Sequence, residues 1–432
     1  MSLLSGIGKK RLAGHKDLSK NQAIIACDVP DLIYIPLVDG NAIDFDVYVK
    51  EGDHVSIGTK LAARKGLYVP LYASVSGTVK GIEKRMHATK RPQNHIVIEN
   101  DHQEESIKVL TIEKPDEMSK EEVFEAIKEL GLVGLGGSGF PTFMKYKDVQ
   151  NIDTILINGV ECEPYITSDH LEMKREVKAL FDGVHFMMIA SGAAQGLIAI
   201  KEHKPDLMDL LKEEAKNYKN IMPVEVEDAY PMGWERLLVK TVTKRDYDVL
   251  PSEAGVIVNN STTAIALSHG IREGKPIVSR LVTISGENAN HPCNVDVRVG
   301  TPAHDVIEAA GGAKEEGEGL VIAGGPMMGK SIMNDTFVIS SYMNALTLLP
   351  FKEDKSVACM KCGECTLHCP MHLQPVRIMQ AEKAANEDLL GKLEVARCVE
   401  CGMCSYVCPS KVEVTDFVQK GKRRYTLFAK RS

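Results

Sequence analysis

The chain has 432 residues, 44% of them hydrophobic and 26% charged, and carries a formal net charge of −7. That length exceeds one ordinary core and suggests about three domains, and the composition is that of a soluble globular protein. The acidic balance argues against nucleic acid as a general partner. The best bilayer candidate, Phe186 to Ile200, is about fifteen residues, too short to span, and reads as a buried core helix.

From Tyr34 to Ile98 the pattern is of short strands broken by turns, with glycines at Gly40, Gly52, Gly58, Gly66, Gly77 and Gly81. This predicts a small all-β module. Val49-Lys-Glu-Gly-Asp-His-Val55 and Ala73-Ser-Val-Ser-Gly-Thr-Val79 resemble elements of lipoyl and biotinyl carrier folds, the barrel-sandwich hybrid. No carrier lysine sits in a hairpin between them, so the fold is expected without the swinging cofactor.

From Ser119 the texture changes. Ser119-Lys-Glu-Glu122 is a capping box, and Val123, Ile127 and Leu130 set apolar residues on one helical face. Gly131 ends that helix and opens the loop Gly134-Leu-Gly136-Gly137-Ser-Gly139-Phe140-Pro141-Thr142. The loop follows a helix, which weakens a Rossmann fingerprint. Its uncovered backbone N–H groups can still approach a phosphate or a flat ring, and Lys145 adds a point charge. Thr154 to Asn158 reads as a short buried strand, Glu172 to Ile200 as two helices, and Val256 to Asn259 as another strand. Strands alternating with helices predict an α/β domain with a mainly parallel sheet.

Strands at Leu281 to Gly286 and Val295 to Val299 come next, then a helix near Ala303 to Ala310 and the turn Gly324-Gly-Pro-Met-Met-Gly329. This order fits a β-grasp module. The last region holds eight of the eleven cysteines in two runs, Cys359-x2-Cys362-x2-Cys365-x3-Cys369-Pro370 and Cys398-x2-Cys401-x2-Cys404-x3-Cys408-Pro409, with a helical segment from Pro375 to Ala396 between them.

The doubled run matches the pattern that holds two 4Fe–4S clusters, the fourth cysteine of each run serving the other cluster. On that rule Cys359, Cys362, Cys365 and Cys408 hold one cluster, and Cys398, Cys401, Cys404 and Cys369 the second. Zinc is the main competitor, but it does not explain the third evenly spaced cysteine or the proline after the fourth. The isolated Cys27, Cys162 and Cys293 read as small buried hydrophobes. Thiolate clusters call for a reducing compartment, hence the cytoplasm. The basic run Lys420-Gly421-Lys422-Arg423-Arg424, with Lys430 and Arg431, reads as a solvated terminus, with an acidic protein or membrane surface as the other option.

Four segments carry a resemblance to the NADH-oxidising flavoprotein subunit of respiratory complex I: the glycine loop through Lys145, Asn158-Gly-Val-Glu161-Cys-Glu163-Pro164, Tyr230-Pro-Met-Gly233-Trp-Glu235, and Asn259-Asn260-Ser-Thr-Thr263. The resemblance implies that FMN is bound through Gly134, Gly136, Gly137, Gly139, Lys145, Asn158, Glu161, Tyr230, Gly233, Asn259, Asn260 and Thr263. It implies also that Phe140, Glu163 and Glu235 face NAD(H). Val160 and Trp234 depart from that family, where acidic residues stand.

The full order of modules is similar to that of the C subunit of the Rnf complex, the membrane-bound ferredoxin:NAD+ oxidoreductase. The expected architecture is therefore multidomain α/β: a barrel-sandwich hybrid over 1–115, a Rossmann-like FMN and NAD(H) domain over 116–277, a β-grasp domain of the SLBB kind over 278–350, and an α-helical ferredoxin domain with two 4Fe–4S clusters over 351–432. The expected partners are the other subunits of a membrane electron-transport complex, ferredoxin-type carriers and NAD(H), with the chain peripheral on the cytoplasmic face of the cell membrane. No side chain is expected to act as a general acid or base. Departures at Gly6 to Lys10, Leu12 to His15, Val38-Asp39 and Ser340 to Asn344 leave open a soluble paralogue that feeds another acceptor, such as a proline reductase. A flavin-free electron-transfer adaptor is the reading from a different class.

Overall fold

The computed structural model describes residues 11–430 apart from 39, 41, 315–318, 333 and 352–354. The departures noted at Gly6 to Lys10 and Asp39, and Arg431 of the basic tail, lie outside the described residues.

After β1 (Ile24–Ala26), the first module is built from β2 (Leu32–Pro36), β3 (Phe45–Val47), β4 (His54–Val55), β5 (Lys60–Arg64), β6 (Pro70–Tyr72), β7 (Gly77–His87) and β8 (Arg91–Asn100). Two sheets, ordered β2-β8-β7-β4 and β3-β5-β6, enclose Ile33, Ile35, Leu61, Val75, Ile96 and Ile98. This is the expected barrel-sandwich arrangement. β1 does not join it: Ile24 to Ala26 pair in parallel with Asn294 to Asp296 of the third module.

The α/β domain begins at α1 (Lys120–Glu129), where Ser119 and Glu122 form the capping box the sequence predicts. There follow β9 (Thr154–Asn158), α2 (Ser168–Arg175), α3 (Val177–Ser191), β10 (Gln195–Lys201), α4 (Pro205–Ala215), β11 (Ile221–Val226), α5 (Glu235–Thr243), β12 (Val256–Asn260) and α6 (Ser261–Glu273). The sheet is parallel, in the order β11-β10-β9-β12. The segment Glu172 to Ile200 is therefore not two helices. Gly192 adopts a left-handed conformation and caps α3, and the apolar residues beyond it, Leu197 to Ile200, are a buried strand between β9 and β11. The core helix read from Phe186 to Ile200 is half helix and half strand for the same reason.

The third module combines β13 (Ser279–Ser285), β14 (Cys293–Arg298), α7 (Ala303–Ala309), β15 (Gly319–Ala323), β16 (Lys330–Ile332) and β17 (Ala345–Pro350) in the sheet β1-β14-β13-β17-β15-β16. The fourth contains α8 (Glu364–Leu367), α9 (Pro375–Lys383), α10 (Glu387–Lys392), α11 (Met403–Tyr406) and α12 (Val414–Ala429) around Leu373, Ile378, Leu390, Val395, Val414 and Val418. The basic run lies on the partly solvated face of α12, where Lys422 bonds Glu400, Arg424 bonds Glu382, and Lys420 pairs with Asp416. Among the described residues no helix is long and apolar enough to cross a membrane.

Candidate functional site: a glycine-loop pocket beside two four-cysteine cavities

In the sheet order β11-β10-β9-β12 the chain runs outward from β9 on one side and returns to its other side at β12. Open α/β sheets take ligands at such a switch point, outside the carboxyl ends of the strands. Asn158 and Asn260 end β9 and β12 and are partners in register.

The glycine loop lies over this edge. Leu135 N donates to Thr263 Oγ1 at 3.1 Å, and the buried Arg280 donates to Leu135 O at 2.9 Å, so the loop is held from both sides. Gly136 has no room for a side chain, since a Cβ there would stand 2.8 Å from Asn260 Nδ2. Gly137, at φ +101°, faces open space. Among the described residues the N–H groups of Gly136, Gly137 and Ser138 make no hydrogen bond to the protein. A bare, exposed run of amides of this kind suits an anionic or planar ligand.

Around the loop the expected residues divide by what their side chains do. Lys145 Nζ donates to Val258 O at 2.6 Å and lies 3.4 Å from Glu235 Oε2, and Phe140 is 46% exposed at the mouth. Gly134 and Gly139 complete the loop through the Gly139 N to Gly134 O bond. Asn158 Nδ2 donates to Gly233 O at 2.7 Å, which ties β9 to the turn before α5.

Other side chains are engaged within the protein. Thr263 holds the loop, and Asn259 donates to the buried Tyr146 hydroxyl at 2.7 Å. Asn260 caps α6 by accepting from Thr262 N and donates to Asp169. Glu161 accepts from Asp169 N at 2.8 Å and pairs with Lys16 at 3.2 Å. For these residues backbone and position, more than the side-chain tip, are what the pocket offers.

Glu163 is turned toward the third module. Its Oε2 accepts from Met327 N at 3.1 Å, while its Oε1 is buried without a partner. Burial pushes its carboxyl up to about 7. Asp169, buried beside Glu161, is likewise pushed up to about 6. The sequence pattern did not single out Lys16, Asp169 or Met327. Each acts across more than 90 residues or lies outside the four motifs, and a basic or acidic residue in such a place gives no local signal.

The cysteines stand around two cavities. Cys369, Cys398, Cys401 and Cys404 line one, with Leu373, Ile378, Met403 and Val418. Cys359, Cys362, Cys365 and Cys408 line the other, with Met360, Val376 and Val414. Each cavity thus takes three cysteines from one run and the last cysteine of the other. No set of three or more His, Cys, Asp and Glu closes on one ion-sized point among the described residues.

The donor chemistry fits a larger thiolate-bound group. Leu373 N, Glu400 N and Val412 N donate to the sulfurs of Cys369, Cys398 and Cys408 at 3.3–3.4 Å, and such bonds favour a charged, metal-bound sulfur. Burial pushes the Cys401 and Cys404 thiols up to about 12. Without a metal they stay protonated, and binding iron must release those protons.

One turn joins the end of β9 to the Cys369, Cys398, Cys401, Cys404 cavity. The turn from Tyr230 to Glu235 packs against the second cysteine run: the Tyr230 hydroxyl donates to Cys401 O at 2.6 Å, and Tyr230, Cys401 and Met403 form one buried cluster with Trp234, Cys162 and Met327 at its edge.

Comparison with known proteins follows the same divisions. Residues 6–103 match the RnfC barrel sandwich hybrid domain, 127–269 the Nuo51 FMN-binding domain, 281–331 the SLBB domain and 358–412 the 4Fe-4S dicluster domain. The C subunit of the proton-translocating ferredoxin:NAD(+) oxidoreductase complex of Clostridium ljungdahlii is 34% identical, over 84% of this chain and 81% of that protein. Its counterpart in the Na(+)-translocating complex of Acetobacterium woodii is 33% identical over 81% of each chain. The C subunit of the ion-translocating oxidoreductase complex of Rhodobacter capsulatus is 32% identical, over 84% of this chain and 72% of that one. An NAD+-reducing NiFe-hydrogenase in its H2-reduced state shares the fold, with a TM-score of 0.51 and 17% identity over 71% of this chain and 63% of the other.

Proposed function

This chain belongs to the family of Rnf complex C subunits, and from that membership we propose that it carries electrons between NAD(H), FMN and two 4Fe–4S clusters. It does so as a peripheral subunit of an ion-translocating ferredoxin:NAD+ oxidoreductase. FMN would be held by the free amides of Gly136, Gly137 and Ser138, Lys145 and the strand ends at Asn158 and Asn260; the clusters would be held by the two cysteine sets. When bound, FMN converts between the two-electron chemistry of nicotinamide and the one-electron chemistry of iron–sulfur clusters.

The residues supply place and electrostatics. Lys145 sets a positive charge under the loop, and Glu235 and Phe140 flank the open side where the dinucleotide would enter. Apolar walls enclose the Cys369, Cys398, Cys401, Cys404 cavity, whereas the other cavity carries the exposed Cys362. No side chain is needed to move a proton.

The observation that carries this reading is the bond from Tyr230 to Cys401, which joins the flavin-type pocket to the Cys369, Cys398, Cys401, Cys404 cavity. That cavity is the inner one, and the Cys359, Cys362, Cys365, Cys408 cavity, with Cys362 exposed, is the outer one, open to a ferredoxin-type partner. A place on the cytoplasmic face is supported by the thiolate chemistry and by the relatives' ion-translocating complexes.

Anaerobic reconstitution tests the reading. Roughly eight irons and one flavin per chain, both reduced by NADH, are expected. Full iron without flavin at saturating FMN would leave only the adaptor reading.

A further inference from the structure

Resting on the flavin and cluster reading above, we propose that the Gly324–Gly329 turn of the third module sets the spacing between the flavin pocket and the inner cysteine cavity, with Met327 as its positioning residue.

The turn is itself firmly held. Gly324 N donates to Ala345 O at 2.8 Å and Thr347 Oγ1 donates to Gly324 O at 2.7 Å, which ties it to β17. Gly329 N closes it onto Gly325 O at 2.8 Å. A fixed turn of this kind is a rigid support on which neighbouring parts can be registered.

It touches the pocket on one side and the cavity on the other. Toward the pocket, Met327 N donates to Glu163 Oε2 at 3.1 Å. The approach is close enough that a Cβ on Gly325 would lie 2.4 Å from that oxygen. Toward the cavity, Met327 O would lie 2.7 Å from a Cβ on Gly402, the residue after Cys401. The Met327 side chain packs at the edge of the Tyr230, Cys401 and Met403 cluster. One residue thus bonds the segment that follows β9, abuts the loop that carries an inner cysteine, and packs beside the tyrosine that joins them.

The α/β core and the cysteine module have separate apolar interiors. The turn acts where the two meet, so its loss should alter the passage of electrons between them and leave each centre intact. Steps that depend on the placement of two partners are sensitive to displacements of about 1 Å.

The test uses the full chain loaded anaerobically with iron and FMN, mixed rapidly with NADH, with flavin bleaching and cluster reduction followed separately. Met327→Ala should show wild-type iron and flavin content, wild-type flavin bleaching, and cluster reduction slowed on the order of tenfold. Met327→Leu, which restores bulk, should recover the rate. Wild-type cluster reduction in Met327→Ala overturns the proposal.

Should Met327→Ala lose iron, Glu163→Gln and Glu163→Leu decide. Gln still accepts from Met327 N and Leu does not, so a slow cluster step in Leu alone supports the turn's role, and equal rates overturn it. A wild-type chain whose flavin is not bleached by NADH would instead defeat the flavin reading itself.

Discussion

The two cysteine runs have the same spacing and nearly the same local geometry, yet they live in different surroundings. In each, a left-handed glycine follows the second cysteine and starts a four-residue helix: Gly363 at φ +87° before α8, and Gly402 at φ +78° before α11. A Cβ on Gly363 would meet nothing within 4 Å, whereas on Gly402 it would stand 2.7 Å from Met327 O. Cys362 is exposed and Cys401 is 7% exposed. The motif sets how a cluster is gripped; its neighbours set whether that cluster faces inward to the flavin pocket or outward to a partner.

The largest break in this comparison comes from removing one cysteine in each cavity. Cys401→Ser should cut bound iron to roughly four and stop NADH from reducing the outer cluster, although the outer ligands are untouched. Cys362→Ser should lose the same iron yet keep the inner cluster reducible. Iron assay and electron paramagnetic resonance check both.

A smaller effect separates the glycines. Gly363→Ala should cost about 1 kcal/mol, the strain of a left-handed alanine, and Gly402→Ala roughly 2–4 kcal/mol, because the Met327 carbonyl must also yield. Thermal unfolding of the loaded protein measures the difference; equal costs would mean that the two glycines share one environment.

Glu163, on the pocket side of the inner cavity, sharpens the contrast through pH. Burial raises its carboxyl from 4.5 to about 7, so the native state holds that proton more tightly than the unfolded chain. Its contribution to stability is full below pH 4.5 and is lost as pH rises through about 7, a change on the order of 3 kcal/mol. In Glu163→Gln that part of the slope should vanish, as denaturant titrations across the range would show.

The smallest effect is on the outer side. Leu367, on α8, is 47% exposed. Leu367→Ala should change stability by no more than about 0.5 kcal/mol and leave NADH-driven reduction of the inner cluster unchanged.

Much of this was legible in the sequence where a local rule applied. The capping box at Ser119, the strands read at Thr154 to Asn158 and Val256 to Asn259, and the cysteine sharing between runs all follow from local pattern. The strand β10 did not, because Phe186 to Ile200 is apolar throughout and only Gly192 marks where helix gives way to strand. Four motifs pointed to the glycine loop and the strand ends, but not to the partners of their side chains. Glu161 faces Lys16 and the start of α2, and Glu163 faces Met327. Those pairings join distant segments, and no periodicity records them.

The order in which the two clusters are reduced decides between an inner and an outer entry point. Wild-type protein mixed with NADH and freeze-quenched over time should show the inner cluster's resonance rising before the outer one's, with the two signals assigned from Cys362→Ser and Cys401→Ser reduced by dithionite. An outer signal that appears first, or that forms at the wild-type rate in Cys401→Ser, would contradict the account.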